Sequence, residues 1–313
     1  MINVNGVTKY YGDFRAVNNI SFVIRKGEIT GLLGPNGAGK TTTLRMLTCF
    51  LRPTSGTISV GDYLASESPI EVKRQIGYLP ESAPLYGDML VYDYLWYVGK
   101  LRGVNSGDRM KEIAGVCGIT EVMHKNISEL SKGYRQRVGL AHAMIHDPEI
   151  LILDEPTSGL DPNQIIEIRN LIREIGKKKT VILSTHILSE VEATCDRVII
   201  INRGDIIADS RTSELTSSFG GGMKVSVQVG GADFDSLSSA LGGVPGVTSV
   251  TGKREDGGLC GAVVAASPGS DVRPGIFTAV RDRGWILYEM TREQETLEHV
   301  FRELTKGGDN EIQ

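Results

Sequence analysis

The stretch Gly34-Pro-Asn-Gly-Ala-Gly-Lys-Thr41 fits the pattern G-x-x-x-x-G-K-[ST]. These residue types at this spacing suit a phosphate. Glycines let successive backbone N–H groups curl around phosphate oxygens at a helix N-terminus, a lysine neutralises the β- and γ-phosphates, and the Thr41 hydroxyl can ligand Mg²⁺. The context fits as well, because the apolar run Ile29–Leu33 reads as a strand before the loop and residues 42–51 read as a helix after it. Gly34, Pro35, Asn36, Gly37, Ala38, Gly39, Lys40, Thr41 and Thr42 are therefore candidate nucleotide-binding residues. A second constellation, Ile150-Leu-Ile-Leu-Asp154-Glu155, reads as a buried strand ending in two carboxylates. At the carboxyl edge of a parallel sheet such groups face the ligand crevice. Asp154 is then suited to hold Mg²⁺ or its water shell, and Glu155 to accept a proton from an attacking water.

Chemistry of this kind needs a scaffold that brings the ends of several strands together. Short apolar runs at 29–33, 150–153, 181–183 and 198–201 look like parallel strands buried on both faces, with helical stretches between several of them. That alternation predicts an α/β fold with helices packed on a largely parallel sheet. From 85 to 143 the strand signals vanish, while Tyr92, Tyr94, Leu95, Tyr97, Val98 and Leu101 recur at roughly helical spacing, so a helical insertion is expected there. The small-residue stretch Thr216-Ser-Ser-Phe-Gly-Gly-Gly-Met223 reads as a linker. It divides the chain into domains 1–216 and 217–313. In the second, a strand at 225–229, a helix at 233–241, strands at 247–251 and 259–265, a helix at 272–283 and a strand at 285–290 predict a ferredoxin-like α+β domain, closed by a short amphipathic helix near 297–304.

Composition narrows the function classes. The 313 residues leave room for two domains. Lys and Arg total 34 against 38 Asp and Glu, a net charge of -4, so the chain carries no basic footprint for nucleic acid. Residues 1–216 hold 25 basic and 25 acidic side chains, so the acidic excess belongs to 217–313. Cys49, Cys117, Cys195 and Cys260 stand singly, which writes neither a disulfide framework nor a zinc ribbon and suits a reducing compartment. No apolar run approaches the ~20 residues that a bilayer needs, and the first residues lack a basic segment followed by an apolar one. The expectation is a soluble globular protein that is not secreted.

Several motifs in order resemble the nucleotide-binding subunit of an ABC transporter. Leu130-Ser131-Lys132-Gly133-Tyr134 is similar to the family signature, Ser158-Gly-Leu-Asp161 to its D-loop, Ser184-Thr-His186 to its switch-histidine loop, and Tyr11 to its adenine-stacking aromatic. The resemblance covers essentially all of 1–216. It implies a P-loop ATPase cassette that binds ATP and Mg²⁺ and works in pairs, homodimeric or mixed, each ATP lying between the phosphate loop of one copy and the signature of the other. On that basis Ser131, Gly133 and Asp161 join the nucleotide-binding set, Lys40, Glu155 and His186 form the catalytic set, and Thr41, Glu81 and Asp154 hold the metal. Two positions depart from the family pattern: Glu81 stands where a glutamine is usual, and Tyr134 replaces the last signature residue. Both departures, with the 296–305 segment, are similar to the ABC-2 type export ATPases of the drug-resistance, sodium-efflux and gliding-motility group. The resemblance thus implies transmembrane permease subunits encoded separately and a location at the cytoplasmic face of the cell membrane. A soluble ABC-type ATPase acting on ribosomes or DNA is the competing expectation. It is weakened by the single cassette and the lack of a coiled coil or zinc insert.

The remaining chemistry-bearing residues have plainer readings. His142 and His146 stand four apart on an expected helix, but neither the accompanying Glu of a zinc protease nor a third ligand is visible, so packing and helix-end hydrogen bonds are expected. Lys177-Lys-Lys179 reads as a solvated helix end. The aromatics Tyr92, Tyr94, Trp96 and Tyr97 fit either a core or a partner interface, with Leu85, Tyr86 and Met89 expected nearer the partner.

Overall fold

A computed structural model describes residues 1–214, 224–256, 259–267 and 269–293. The chain divides into two compact units, Met1–Thr212 and Ser213–Gln313. The expected linker at 216–223 and the expected closing helix at 297–304 lie outside the described residues.

The first unit opens with a hairpin of β1 (Ile2–Tyr11) and β2 (Phe14–Ile24), joined by the two-residue turn Gly12-Asp13, where Gly12 adopts φ 58°. Next come β3 (Ile29–Leu33), α1 (Lys40–Leu47), β4 (Ser55–Val60), β5 (Tyr63–Leu64), α2 (Pro69–Gln75) and β6 (Ile76–Leu79). Three helices follow, α3 (Val91–Leu101), α4 (Gly107–Val116) and α5 (Lys132–Met144). The unit closes with β7 (Ile150–Asp154), α6 (Pro162–Gly176), β8 (Thr180–Thr185), α7 (Leu188–Thr194), β9 (Arg197–Asn202) and β10 (Asp205–Arg211).

Two sheets result. One is antiparallel in the order β2-β1-β4-β5; the other runs β10-β9-β3-β8-β7-β6 and is parallel except for β10. Every residue of β3 and β7 is buried, which is why both read as largely apolar runs, with Thr30 and the terminal Asp154 as polar members. The antiparallel sheet and β6 are additions to the elements expected from the sequence. Bulges at three places shift the register of β1 against β2, so its in–out alternation is broken. One apolar cluster joins Ile2, Val4 and Ile20 of the antiparallel sheet, Leu44 and Leu47 of α1, and Ile152, Ile182 and Ile199 of the parallel sheet.

Register decides where the site lies. Leu33 at the end of β3 is level with Thr185 of β8, and Ser184 is level with Asp154 at the end of β7. The loop after β3, the acidic end of β7 and the segment after β8 therefore emerge side by side at one edge.

The expected helical insertion begins at Val91, later than residue 85, because the backbone before it is bonded elsewhere: the Gly87 and Met89 carbonyls accept from Ser128 and Ile127 N–H, and Leu90 bridges to Asn126. Its aromatics divide by helix face. Tyr94 is buried, whereas Tyr92 and Tyr97 are each 44% exposed. No helix among the described residues is long and apolar enough to cross a membrane.

The second unit is β11 (Lys224–Gly230), α8 (Phe234–Gly242), β12 (Val247–Asp256), β13 (Leu259–Ala266), α9 (Arg273–Arg281) and β14 (Ile286–Glu293). Its sheet is antiparallel in the order β12-β13-β11-β14. Val225, Val227 and Val229 alternate inward with Cys260, Ala262 and Val264, against Leu237 and Leu241 of α8 and Ile276 and Val280 of α9. This βαββαβ order is the ferredoxin-like arrangement.

Candidate functional site

The loop between β3 and α1 is held by contacts that only glycine permits. A Cβ on Gly34 would stand 2.2 Å from the Ile201 carbonyl oxygen, and one on Gly39 2.6 Å from that of Ala16, at φ 106°. Gly39 also precedes α1 without any side-chain cap, and no acidic residue occupies the first turn. The first N–H groups of α1 thus lack intrahelical acceptors and present positive potential to an anion. Lys40 is 6% exposed; its ammonium donates to the carbonyl oxygens of Gly34 (2.8 Å) and Pro35 (3.2 Å) and lies 3.5 Å from Glu155 Oε1.

At the end of β7, Asp154 Oδ1 accepts from Thr41 Oγ1 (3.1 Å) and Ser184 Oγ (2.6 Å). Glu155 takes φ 48°, a left-handed conformation unusual for a residue with a side chain, and its N–H donates to Ser184 Oγ (3.0 Å). Glu155 Oε2 accepts from His186 Nδ1 at 3.0 Å. Lys40, Glu155 and His186 are therefore linked through the two carboxylate oxygens of one residue. Behind them Tyr78 is pushed up to about 12 by burial and by the Asp154 carboxylate, so it remains a neutral phenol.

An open cleft of about 440 Å³ runs across these groups. Its lining brings Tyr11, Asn36, Gly37, Ala38, Gly39, Lys40, Thr41, Thr42, Glu81, Glu155 and His186 together; the expected residues Gly34, Pro35 and Asp154 are not among them, Asp154 joining the group through its bond from Thr41. Ser131, Gly133 and Asp161 are not among its lining residues. Ser131 caps α5, accepting from Tyr134 N–H (3.4 Å), and Asp161 caps α6, accepting from Gln164 N–H (2.9 Å). A Cβ on Gly133 would meet the Gln164 side chain at 2.8 Å, so the signature packs against the start of α6 in its own chain. The Tyr134 hydroxyl donates to Glu121.

Three contributors escaped the sequence reading. Phe14 faces Tyr11 across the two-residue turn and lines the same cleft; its signal was an aromatic three residues after another. Ser184 stood inside the switch motif without a role of its own, yet it bonds both Asp154 and the Glu155 backbone. Glu190, in the first turn of α7, reads in sequence as an ordinary helix-dipole acid, but it is 3% exposed and bonded on both oxygens. His142 and His146 fill packing roles: His142 Nδ1 bonds Tyr94 OH (2.7 Å) and His146 Nε2 donates to the Ile76 carbonyl (3.2 Å). Lys177 and Lys179 pair with Glu174 and Asp147.

Comparison with known proteins agrees with this geometry. The sequence pattern of the family described as ABC transporter matches residues 17–158, and that of an AAA domain (putative AbiEii toxin, Type IV TA system) matches 126–192. The uncharacterized ABC transporter ATP-binding protein YxlF of Bacillus subtilis is 41% identical over 218 residues, which span 69% of this chain and 72% of YxlF. The linearmycin resistance ATP-binding protein LnrL of the same organism is 38% identical over 237 residues, 74% of this chain and 76% of LnrL. The chain belongs to the ABC transporter ATP-binding proteins. This ABC protein also matches the solved dimeric structure of MJ0796, a bacterial ABC transporter cassette, with TM-score 0.62 and 26% identity over 68% of this chain and 99% of that one. MJ0796 has also been solved in a post-hydrolysis state bound to ADP and Pi. The ABC chain described here is accordingly an ATP-binding ATPase subunit with the P-loop NTPase fold.

Proposed function

We propose that this chain is the ATP-hydrolysing subunit of an ABC-2 type exporter, working as one of a pair of cassettes and driving separately encoded transmembrane subunits at the cytoplasmic face of the cell membrane. The observation that carries the reading is the shared Glu155 carboxylate, 3.5 Å from the Lys40 ammonium on one oxygen and 3.0 Å from His186 on the other, beside a phosphate-sized loop. Tyr11 stacks on adenine. The amides of residues 34 to 42 and Lys40 hold the phosphates, His186 contacts the γ-phosphate, and Glu155 takes the proton as water oxygen attacks γ-phosphorus and ADP leaves. Ser131 and Gly133, with Asp161 nearby, belong to the face that each copy presents to its partner's nucleotide. That assignment agrees with their position outside the chain's own cleft.

A divalent cation fits the donors present. Thr41 hydroxyl and Asp154 carboxylate oxygens lie 3.1 Å apart, and hard oxygen donors with one or two carboxylates suit Mg²⁺, which takes its other ligands from phosphates and water. Thr41 and Asp154 would hold it with Glu81 assisting, and when bound it neutralises charge on the phosphate oxygens.

The exporter assignment is supported by LnrL, whose name ties it to linearmycin resistance, and by the Glu81 and Tyr134 departures. The membrane partner is assigned to the surface around Leu85, Tyr86 and Met89. There Tyr86 is 55% exposed, and a neighbouring cleft of about 370 Å³ is lined by Leu85, Phe50, Pro84 and Tyr94.

Two measurements test the proposal. Glu155→Gln should retain ATP and shift the chain to a dimer in gel filtration, with turnover lowered by about 100-fold or more; undiminished hydrolysis removes Glu155 from the base role. Purification from solubilised membranes should yield a multi-span membrane subunit with the chain; recovery on ribosomes or DNA instead would favour the soluble alternative.

A further inference from the structure

Glu190 is a buried carboxylate that the roles above leave unused. Its Oε1 accepts from Thr157 Oγ1 at 2.5 Å and its Oε2 from Thr185 Oγ1 at 2.7 Å. Thr157 is 5% exposed and Thr185 0%, so both bonds lie out of water. The nearest guanidinium, that of Arg169 on α6, stands 3.9 Å from Oε1. A buried charge with so distant a counter-ion is expensive unless its hydrogen bonds are complete, and here two hydroxyls complete them.

The two hydroxyls belong to different segments of the site. Thr157 lies two residues after Glu155, on the way to Ser158 and the 158–161 segment. Thr185 immediately precedes His186, and its Oγ1 also accepts from Ile187 N–H (3.0 Å), which sets the direction of the chain beyond the histidine. One carboxylate thus ties the backbone that carries the base to the backbone that carries the γ-phosphate contact. Glu190 itself faces Arg169 of α6, the helix capped by Asp161.

We propose that Glu190 is a positioning residue for ATP hydrolysis, holding Glu155 and His186 at one mutual spacing through Thr157 and Thr185. At 3% exposure and with both oxygens bonded to threonine hydroxyls, it offers the nucleotide no free acceptor. The inference rests on the roles proposed above for Glu155 and His186. A carboxylate accepts on both oxygens, whereas an amide accepts on one and must donate on the other, so Glu190→Gln exchanges one charge-assisted bond for a weaker neutral one in which the threonine hydroxyl turns to accept, at nearly constant volume. Thr157→Val removes its tether outright from the opposite end.

The test is steady-state ATPase kinetics on the full chain, with nucleotide affinity and melting temperature measured on the same samples. Glu190→Gln and Thr157→Val should each lower kcat by about 10-fold or more while the KM for ATP stays within about threefold. The double variant should lose little beyond either single one, since both act on one connection. If Glu190→Gln does not fold, Thr157→Val decides alone. Wild-type kcat in a folded Thr157→Val chain overturns the proposal, as does a loss of turnover matched by an equal loss of nucleotide affinity. His186→Ala and Glu155→Gln serve as controls. If those two leave turnover unchanged, the underlying site reading fails; if they abolish turnover while the Glu190 and Thr157 variants leave it unchanged, only the positioning role fails.

Discussion

Ser184 shows how much a small side chain can hold at this site. Its hydroxyl donates to Asp154 Oδ1 and accepts from the Glu155 N–H, at a residue whose backbone is left-handed. Ser184→Ala should leave the Glu155 N–H with only the long bond to the Ser184 carbonyl (3.2 Å) and remove one of the hydroxyls that bond Asp154. The expected cost is about 1–2 kcal/mol of stability, read by denaturant unfolding, with a lowered kcat. Unchanged turnover and midpoint would show that Thr41 and the backbone suffice.

His146 makes a second prediction at this scale. A carbonyl can only accept, so Nε2 carries the ring proton bonded to Ile76, and Nδ1 is left buried without a hydrogen-bond partner among the described residues. Burial, reinforced by the Arg102 charge, pushes its pKa from 6.5 to about 4. The unfolded chain then binds a proton at higher pH than the folded one. Stability from the neutral ring is complete above about pH 6.5 and drains away as pH falls toward 4, by about 1–2 kcal/mol after discounting for the ring's partial exposure. His146→Gln should flatten the stability curve across that window. A slope unchanged by the substitution would locate the acid sensitivity elsewhere.

Helix α6 depends on its first turn. Pro162 sits at the first helical position and Asp161 accepts from Gln164 N–H, so both start signals are present. Asp161→Ala should cost about 1 kcal/mol of stability, measured by thermal melting, while ATP binding to a single copy is retained. Loss of ATP binding in the folded monomer would instead give Asp161 a direct nucleotide contact. Helix α1 illustrates the opposite arrangement: Gly39 at φ 106° offers no cap, and the exposed amides remain for a ligand. Gly39→Ala would drive a Cβ to 2.6 Å from the Ala16 carbonyl, so destabilisation of about 2 kcal/mol or more should accompany loss of nucleotide binding.

At the scale of the whole molecule, the two units have separate cores. One cluster unites both sheets of the first unit around α1, and another unites β11 and β13 with α8 and α9. Calorimetry on the full chain should resolve two transitions, and ATP with magnesium should raise only the one belonging to the first unit. A single cooperative transition would mean that the units unfold together.

The phosphate loop and the acidic strand end were legible in the sequence because their chemistry is local, whereas the switch histidine was legible only through its resemblance to a family motif. Glycines, a lysine and a hydroxyl must follow a strand within a few residues, and strands buried on both faces are mostly apolar. The ferredoxin-like order was legible for a similar reason, since Val225, Val227 and Val229 alternate cleanly and their turns are short. What sequence could not supply was anything set by register between distant strands. Pairing of Leu33 with Thr185 brings segments more than a hundred residues apart to one edge, and pairing of Asp154 with Ser184 adds the acidic strand end to it. The burial of Glu190 between Thr157 and Thr185 follows from that same packing, and an acidic residue in a helix's first turn gives no warning of it. Local composition fixed which groups could act, whereas long-range strand pairing and side-chain burial decided which of them meet.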